Sequence, residues 1–130
     1  MDRMADAGEF GVVIWWPDQD ESLAAPGDKA RLLEHDVNGR VCRVLGQDGP
    51  FKLIKCGGAT FRISAEQIRA ASNVRFEVGD KVRYEGEAGE VIDVVWHWVK
   101  DEPYYLLRFP DRKSSRRYFG NELVAEPGAA

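Results

Sequence analysis

The stretch "GDKVRYEGEAGEVIDVVWHWVKDEPYYLLRFPDRKSSRRYFGNEL", residues 79–123, decides the fold. Its first part is a strand, a tight glycine turn and a second strand: "GDKVRYEGEAGEV". "EVIDVVWHWV" is β-branched and aromatic, the composition that fits a pleated, half-buried surface. "YYLLRF" follows Pro103 and ends at the turn dipeptide Pro110-Asp111. "RRYFG" reads as a further strand, and "GNEL" as a single helical turn that closes the unit.

The same layout occurs earlier in the chain, in "GDKARLLEHDVNGRVCRVLGQDGPFKLIKCGGATFRISAEQI", residues 27–68. Gly27-Asp28-Lys29 is laid on Gly79-Asp80-Lys81, Val41 on Val91, and Val44 on Val94. Further along, Pro50-Phe51 falls on Pro103-Tyr104, Leu53-Ile54 on Leu106-Leu107, Arg62-Ile63 on Arg117-Tyr118, and Ile68 on Leu123. The gaps fall in turns, where insertions are tolerated. An internal period of this length signals a repeated supersecondary unit. The copies diverge at their start. "PGDKARLLEHDVNG" has Pro26 at a good first helical position, a run of helix formers, and Gly39 as a stop, so a short helix is predicted there. Ahead of it, "FGVVIWW" is a strand ended by Pro17, an extra strand for either unit.

A unit of four or five short, bent strands with a terminal helical turn resembles an SH3-like small barrel. Residues 78–94, "VGDKVRYEGEAGEVIDV", resemble the KOW and Tudor-like branch, where Gly-Asp precedes the first strand and a Gly marks the next turn. The resemblance implies a mainly β chain of two tandem SH3-like small barrels with one short helix in the first half. The units are residues 1–72, with the extra N-terminal strand, and residues 73–130. It also implies a module that binds proteins, peptides or nucleic acids without chemistry of its own, although fold does not fix function.

Composition narrows the options. At 44% hydrophobic and 31% charged residues, the 130-residue chain is a folded globular protein rather than a disordered one. No apolar run approaches the roughly 18 residues that span a bilayer. The N-terminus "MDRMADAGEF" lacks the basic-then-apolar layout of a secretory signal, so the expectation is a cytoplasmic protein without a membrane partner. The net charge is -4. Each half carries more acids than bases, which counts against indiscriminate phosphate binding. Cys42 and Cys56 form neither a disulfide framework nor a zinc set; each reads as a small buried hydrophobe.

The chemistry-bearing residues are few. In a strand, alternate residues share a face. Ile92, Val94, Trp96 and Trp98 therefore make one apolar face, and Val91, Asp93, Val95 and His97 the other. Trp96 is assigned to the core, and Trp98 at the strand end is a candidate recognition platform. Trp15 and Trp16 fall on opposite faces of their strand. Only Asp93 and His97 share a face as metal ligands, short of the three a site needs, so no metal or cofactor is expected. There is no G-x-S-x-G, P-loop, H-E-x-x-H or C-x-x-C, so no catalytic residue is assigned and the chain is read as a non-enzyme. The basic run "DRKSSRRYF" is the most informative exposed feature: Arg forks suit carboxylate or phosphate, and neighbouring tyrosines could stack bases. The bland alternative is that these arginines pair with the chain's own 22 acids.

The expected partner surface is thus Trp16, Trp98, Tyr104, Tyr105, Arg112, Arg116 and Arg117. Its expected occupant is another protein; small acidic proteins of this build include inhibitors, immunity proteins and adaptors. RNA or DNA binding through the Arg/Tyr face is the alternative, and an enzyme with an unrecognised site the third.

Overall fold

A computed structural model describes residues 9–14, 24–25, 27–35 and 37–126. The protein is mainly β, with two antiparallel sheets and one short helix. The chain divides into two compact units, Met1–Ser72 and Asn73–Ala130.

In the first unit the strands are β1 (Phe10–Val13), β2 (Val41–Asp48), β3 (Phe51–Cys56), β4 (Ala59–Ser64) and β5 (Ile68–Ala70). They lie in the order β4-β3-β2-β1-β5. A 3-10 turn, Ala65–Gln67, connects β4 to β5. The helix α1 (Asp28–His35) sits between β1 and β2 in sequence. Val13, Leu32, Val44, Ile54, Phe61, Ile63 and Ile68 are buried together. Each such side chain contributes about 1.5–3 kcal/mol by leaving water.

The second unit has β6 (Lys81–Tyr84), β7 (Glu87–His97), β8 (Glu102–Phe109), β9 (Arg112–Lys113), β10 (Tyr118–Phe119) and β11 (Val124–Ala125). The order is β10-β8-β7-β6-β11, with β9 pairing β8. A 3-10 turn, Gly120–Glu122, precedes β11. The two sheets therefore share one strand order and place the same turn before their last strand. β6 and β7 meet through Glu85 and Gly86, with φ of 48° and 84°. Positive φ at both central residues is the type I′ geometry that matches the twist of paired strands.

The short helix lies where the sequence places it. Two other expectations need correcting. The strand near the N-terminus is not an addition: β1 holds the position in its sheet that β6 holds in the other, between the second and last strands. The first Gly-Asp-Lys opens α1, whereas the second leads into β6. The other correction concerns the second strand of each unit. Val44 pairs with Ile54, and Val91 with Leu107, so Val44 corresponds to Val91 rather than to Val94. A bulge follows both pairs, at Leu45 and at Ile92. It moves Val91 onto the core face with Val94 and Trp96, leaving Ile92 only half-buried. The later correspondences agree with the ladders: Lys52 opposes Ile63 as Tyr105 opposes Tyr118.

An edge strand exposes unpaired backbone groups unless something covers them. Here Ala24, Ala25 and Asp28 cover β4. Asp28 Oδ2 accepts from the Arg62 backbone N–H at 2.8 Å, and the Ala25 N–H donates to Arg62 O at 3.0 Å. Arg62 Nε also reaches Asp28 at 3.3 Å, and Arg31 at 3.4 Å. Asp28 is buried, and it fastens the start of α1 to the sheet edge. Asp28→Ala should therefore cost about 1–3 kcal/mol in urea unfolding, because the Arg62 N–H loses its acceptor; an unchanged midpoint would show that the edge is not held this way.

The last strand of the second unit is held differently. Glu126 N donates to Lys81 O at 3.0 Å, and Arg83 grips the Glu126 carboxylate at 2.7 and 2.8 Å. Hydrogen bonds from Arg83 hold the Glu126 carboxyl below its ordinary 4.5. A depressed carboxyl pKa contributes stability above the ordinary value, and that contribution is lost as pH falls through the folded-state pKa. Amide protection in β11, corrected for intrinsic exchange, should fall as pH drops below about 4.5. Arg83→Gln should remove that step; an identical pH profile in the variant would contradict the assignment.

Candidate functional site

The long hairpin of β7 and β8 ends in four residues, Trp98 to Asp101, between the paired residues His97 and Glu102. Asp101 N donates to His97 O at 2.8 Å, and Lys100 N donates to His97 Nδ1 at 3.1 Å. Asp101 takes a φ of 56°, a left-handed position that Asp tolerates better than most residues. The turn is thus closed by its own hydrogen bonds. It nevertheless presents two large apolar side chains, Trp98 at 49% exposure and Val99 at 91%.

Behind the tip lies a half-buried aromatic cluster. His97, Tyr104 and Phe119 meet edge-on or tilted, at ring-centroid separations of 6.1, 5.7 and 6.4 Å. They come from three strands because Val95 opposes Tyr104 and Tyr104 opposes Phe119 across the sheet. Two cations lie on these rings: Lys100 Nζ is 4.1 Å from the Phe119 centroid, and the Arg117 guanidinium 4.7 Å from that of Tyr104. Neither cation forms an ion pair among the described residues. An exposed cation–π contact of this kind contributes about 0.5–1 kcal/mol. Two acids lie here as well, Asp101 in the turn and Glu102 at the start of β8, so the tip is mixed in charge rather than basic.

The residues singled out in the sequence separate into groups. Trp98, Tyr104 and Arg117 come together at this end of the sheet. Tyr105 does not belong to it. Its ring is fully buried, its hydroxyl accepts from Arg75 N at 2.9 Å, and Phe76 packs edge-on at 5.4 Å. Burial pushes its phenol pKa up. The reason is alternation: Tyr104 and Tyr105 are neighbours on β8, so only one can face outward. Trp96 is in the core, at 5% exposure, and its indole N–H has no partner among the described residues. Trp16 lies outside the described residues.

Arg112 and Arg116 are engaged internally. Arg112 makes a two-pronged pair with Glu87 at 3.0 and 3.1 Å, contacts Asp111 at 2.8 Å, and covers Phe109. Arg116 reaches Glu122 at 2.7 Å and lies over Tyr84 and Tyr118, 4.9 and 5.3 Å from their centroids. Glu122 in turn accepts the Phe119 N–H at 2.9 Å, which ties Arg116 to the 3-10 turn. The sequence reading omitted Lys100, Val99 and Phe119. The signal was present in Val99 and Lys100 beside Trp98, within the four residues 98–101 that must reverse the chain between two strands. Phe119 needed the strand pairing.

Among the described residues no three His, Cys, Asp or Glu side chains cluster to hold a metal ion, and no helix is long and apolar enough to cross a membrane. Shallow depressions are present elsewhere in the unit. One is lined by Lys81, Gly89, Arg108 and Phe109, and another by Phe76, Asp80 and Glu126. Neither reaches the tip.

These partnerships predict a contrast in stability. Glu122→Ala should lower the urea midpoint, since it frees the Phe119 N–H and Arg116 together. Arg117→Ala should cost less, at most about 0.5–1 kcal/mol of unfolding free energy, the scale of its exposed contact with Tyr104. Equal losses for both would mean that Arg117 is structural.

Residues 3–124 match a family described as "Family of unknown function (DUF6960)". No curated protein and no solved structure matches the chain.

Proposed function

The chain belongs to this family of unknown function, DUF6960, and we propose that it is a non-catalytic docking protein whose partner is another protein. One observation carries the reading: Trp98 and Val99 stand exposed on a turn that is closed by its own hydrogen bonds. Exposing a large indole on an ordered tip forgoes its burial, and an indole that enters a partner's pocket recovers it. Trp is among the residues that most often carry binding energy, through large contact area and little lost side-chain freedom. The rings of His97, Tyr104 and Phe119 extend the apolar area, and Lys100 and Arg117 give it a cationic edge. The fitting partner has an apolar pocket with a rim of mixed charge, carboxylates opposite Lys100 and Arg117 and cations opposite Asp101 and Glu102, as an enzyme or receptor surface blocked by an inhibitor or immunity-type protein would. Asp101 on the turn and Glu102 beside it favour a protein over a nucleic acid, because each would repel a phosphate backbone.

We also read each unit as an SH3-like small barrel and the chain as a tandem repeat of that unit. What supports this is the shared strand order, the 3-10 turn before the last strand, and the bulge after the same buried pair. A cytoplasmic location accompanies the proposal.

The test is capture from the native host with the full chain as bait. Trp98→Ala and Arg117→Glu should each reduce recovery of one protein at least tenfold, the scale of a hot-spot loss above 1.4 kcal/mol. Arg83→Gln, on another part of the sheet, should leave recovery unchanged. Equal recovery with all variants would place the docking face elsewhere. Material removed by nuclease, with affinity falling steeply in salt, would replace a protein partner with a nucleic acid.

A further inference from the structure

The first unit holds a pair of thiols that the docking proposal does not use. Val44 opposes Ile54 and Arg43 opposes Lys55 across β2 and β3, so the next step of the ladder sets Cys42 opposite Cys56. Both side chains point to the core face. Cys42 alternates with the buried Val44, and Cys56 with the buried Ile54; Cys42 belongs to the core cluster and Cys56 packs against it. The second unit shows what this position looks like when filled otherwise. Val91 opposes Leu107 and Glu90 opposes Arg108, so the corresponding next step sets Gly89 opposite Phe109. A Cβ on Gly89 would lie 3.0 Å from the Phe109 ring, so side chains at these two positions meet face to face. In the first unit the corresponding positions are Cys42 and Cys56.

We propose that Cys42 and Cys56 form a thiol–disulfide site, closed by exchange with a small-molecule disulfide. Directly opposed residues on antiparallel strands have Cα atoms about 4.5–5.5 Å apart, inside the roughly 4.4–6.8 Å that a disulfide spans. The bond therefore forms within the existing register, without a slip of the hairpin. The two thiols are not equivalent. Cys42 is 2% exposed and its Sγ donates to Gly11 O at 3.4 Å, whereas Cys56 is half-buried beside the Gly57-Gly58 turn. Burial raises the Cys42 pKa well above its ordinary value, and the neighbouring Cys56 raises it further. Cys56 is thus the entry point. Its thiolate attacks the incoming disulfide, forms a mixed disulfide and releases one thiolate. Cys42 then loses its proton and attacks the Cys56 sulfur, expelling the second. Two protein thiols are oxidised to one disulfide, and one small disulfide is reduced to two thiols, so electrons and protons balance. The buried, high-pKa Cys42 makes the second step the slower.

The test uses the full chain with oxidised glutathione, quenched by alkylation, digested with trypsin without reduction and read by mass spectrometry. Cleavage after Arg40, Arg43, Lys55 and Arg62 isolates Cys42 in residues 41–43 and Cys56 in residues 56–62. The expected product is these two peptides joined, from a monomeric chain lighter by two hydrogen atoms. Cys56→Ser should leave Cys42 unmodified by glutathione in the folded protein. A stable glutathione adduct on Cys56 with Cys42 still a thiol would overturn the proposal. So would a link between two chains. Modification of Cys42 in Cys56→Ser at the wild-type rate would overturn the order of attack.

Discussion

The bulge after one buried cross-strand pair governs both sheets. A strand that alternates strictly cannot place Val91, Val94 and Trp96 on one side, because their spacing changes from odd to even. One inserted residue, Ile92, resolves the conflict: it opposes nothing on β8, and the faces of β7 exchange around it. Leu45 does the same in β2, after Val44 and Ile54. The consequence is a strand that bends. Its early part pairs with the first strand of the unit, at Gly11 to Cys42 or Val82 to Gly89, and its length pairs with the third. Without the bulge, Val91 could remain in the core only by turning Val94 and Trp96 outward.

The tip at Trp98 follows from the same device. Past the bulge, Val95 and His97 face outward while Trp96 faces in. That parity puts His97 beside Tyr104 and Phe119 and leaves the following turn to carry Trp98 and Val99. The second unit thus ends its long hairpin in apolar and cationic groups. The hairpin between β2 and β3 in the first unit closes at once through Gly49 and Pro50, with no exposed aromatic at its tip. The two units share a plan and differ in what their loops present, which is where binding residues are ordinarily carried.

Much of this was legible in the sequence, for local reasons. β-branched and aromatic runs between glycine and proline marked most strands, and the two helical turns followed from "AEQI" and "GNEL". The short helix was announced by its helix formers and by Gly39. What was not legible needed partners distant along the chain. A bulge has no composition signature in "EVIDVVWHWV", so strict alternation put Val91 on the wrong face. The role of β1 was hidden because its pairs, β2 and β5, are about 30 and 60 residues away. Tyr104 and Tyr105 look alike in sequence, and only the register of β8 against β10 decides which is buried. Arg116 and Arg117 are adjacent, yet Glu122 and two tyrosines engage the first while the second lies over Tyr104 alone.

The most direct measurement is the set of cross-strand nuclear Overhauser contacts in the full chain. Hα and amide contacts should pair Val91 with Leu107 and Asp93 with Leu106, skipping Ile92, and a matching set should pair Val44 with Ile54 and Gly46 with Leu53, skipping Leu45. Unbroken pairing of Ile92 with a residue of β8, with Trp96 exposed to solvent, would contradict this register.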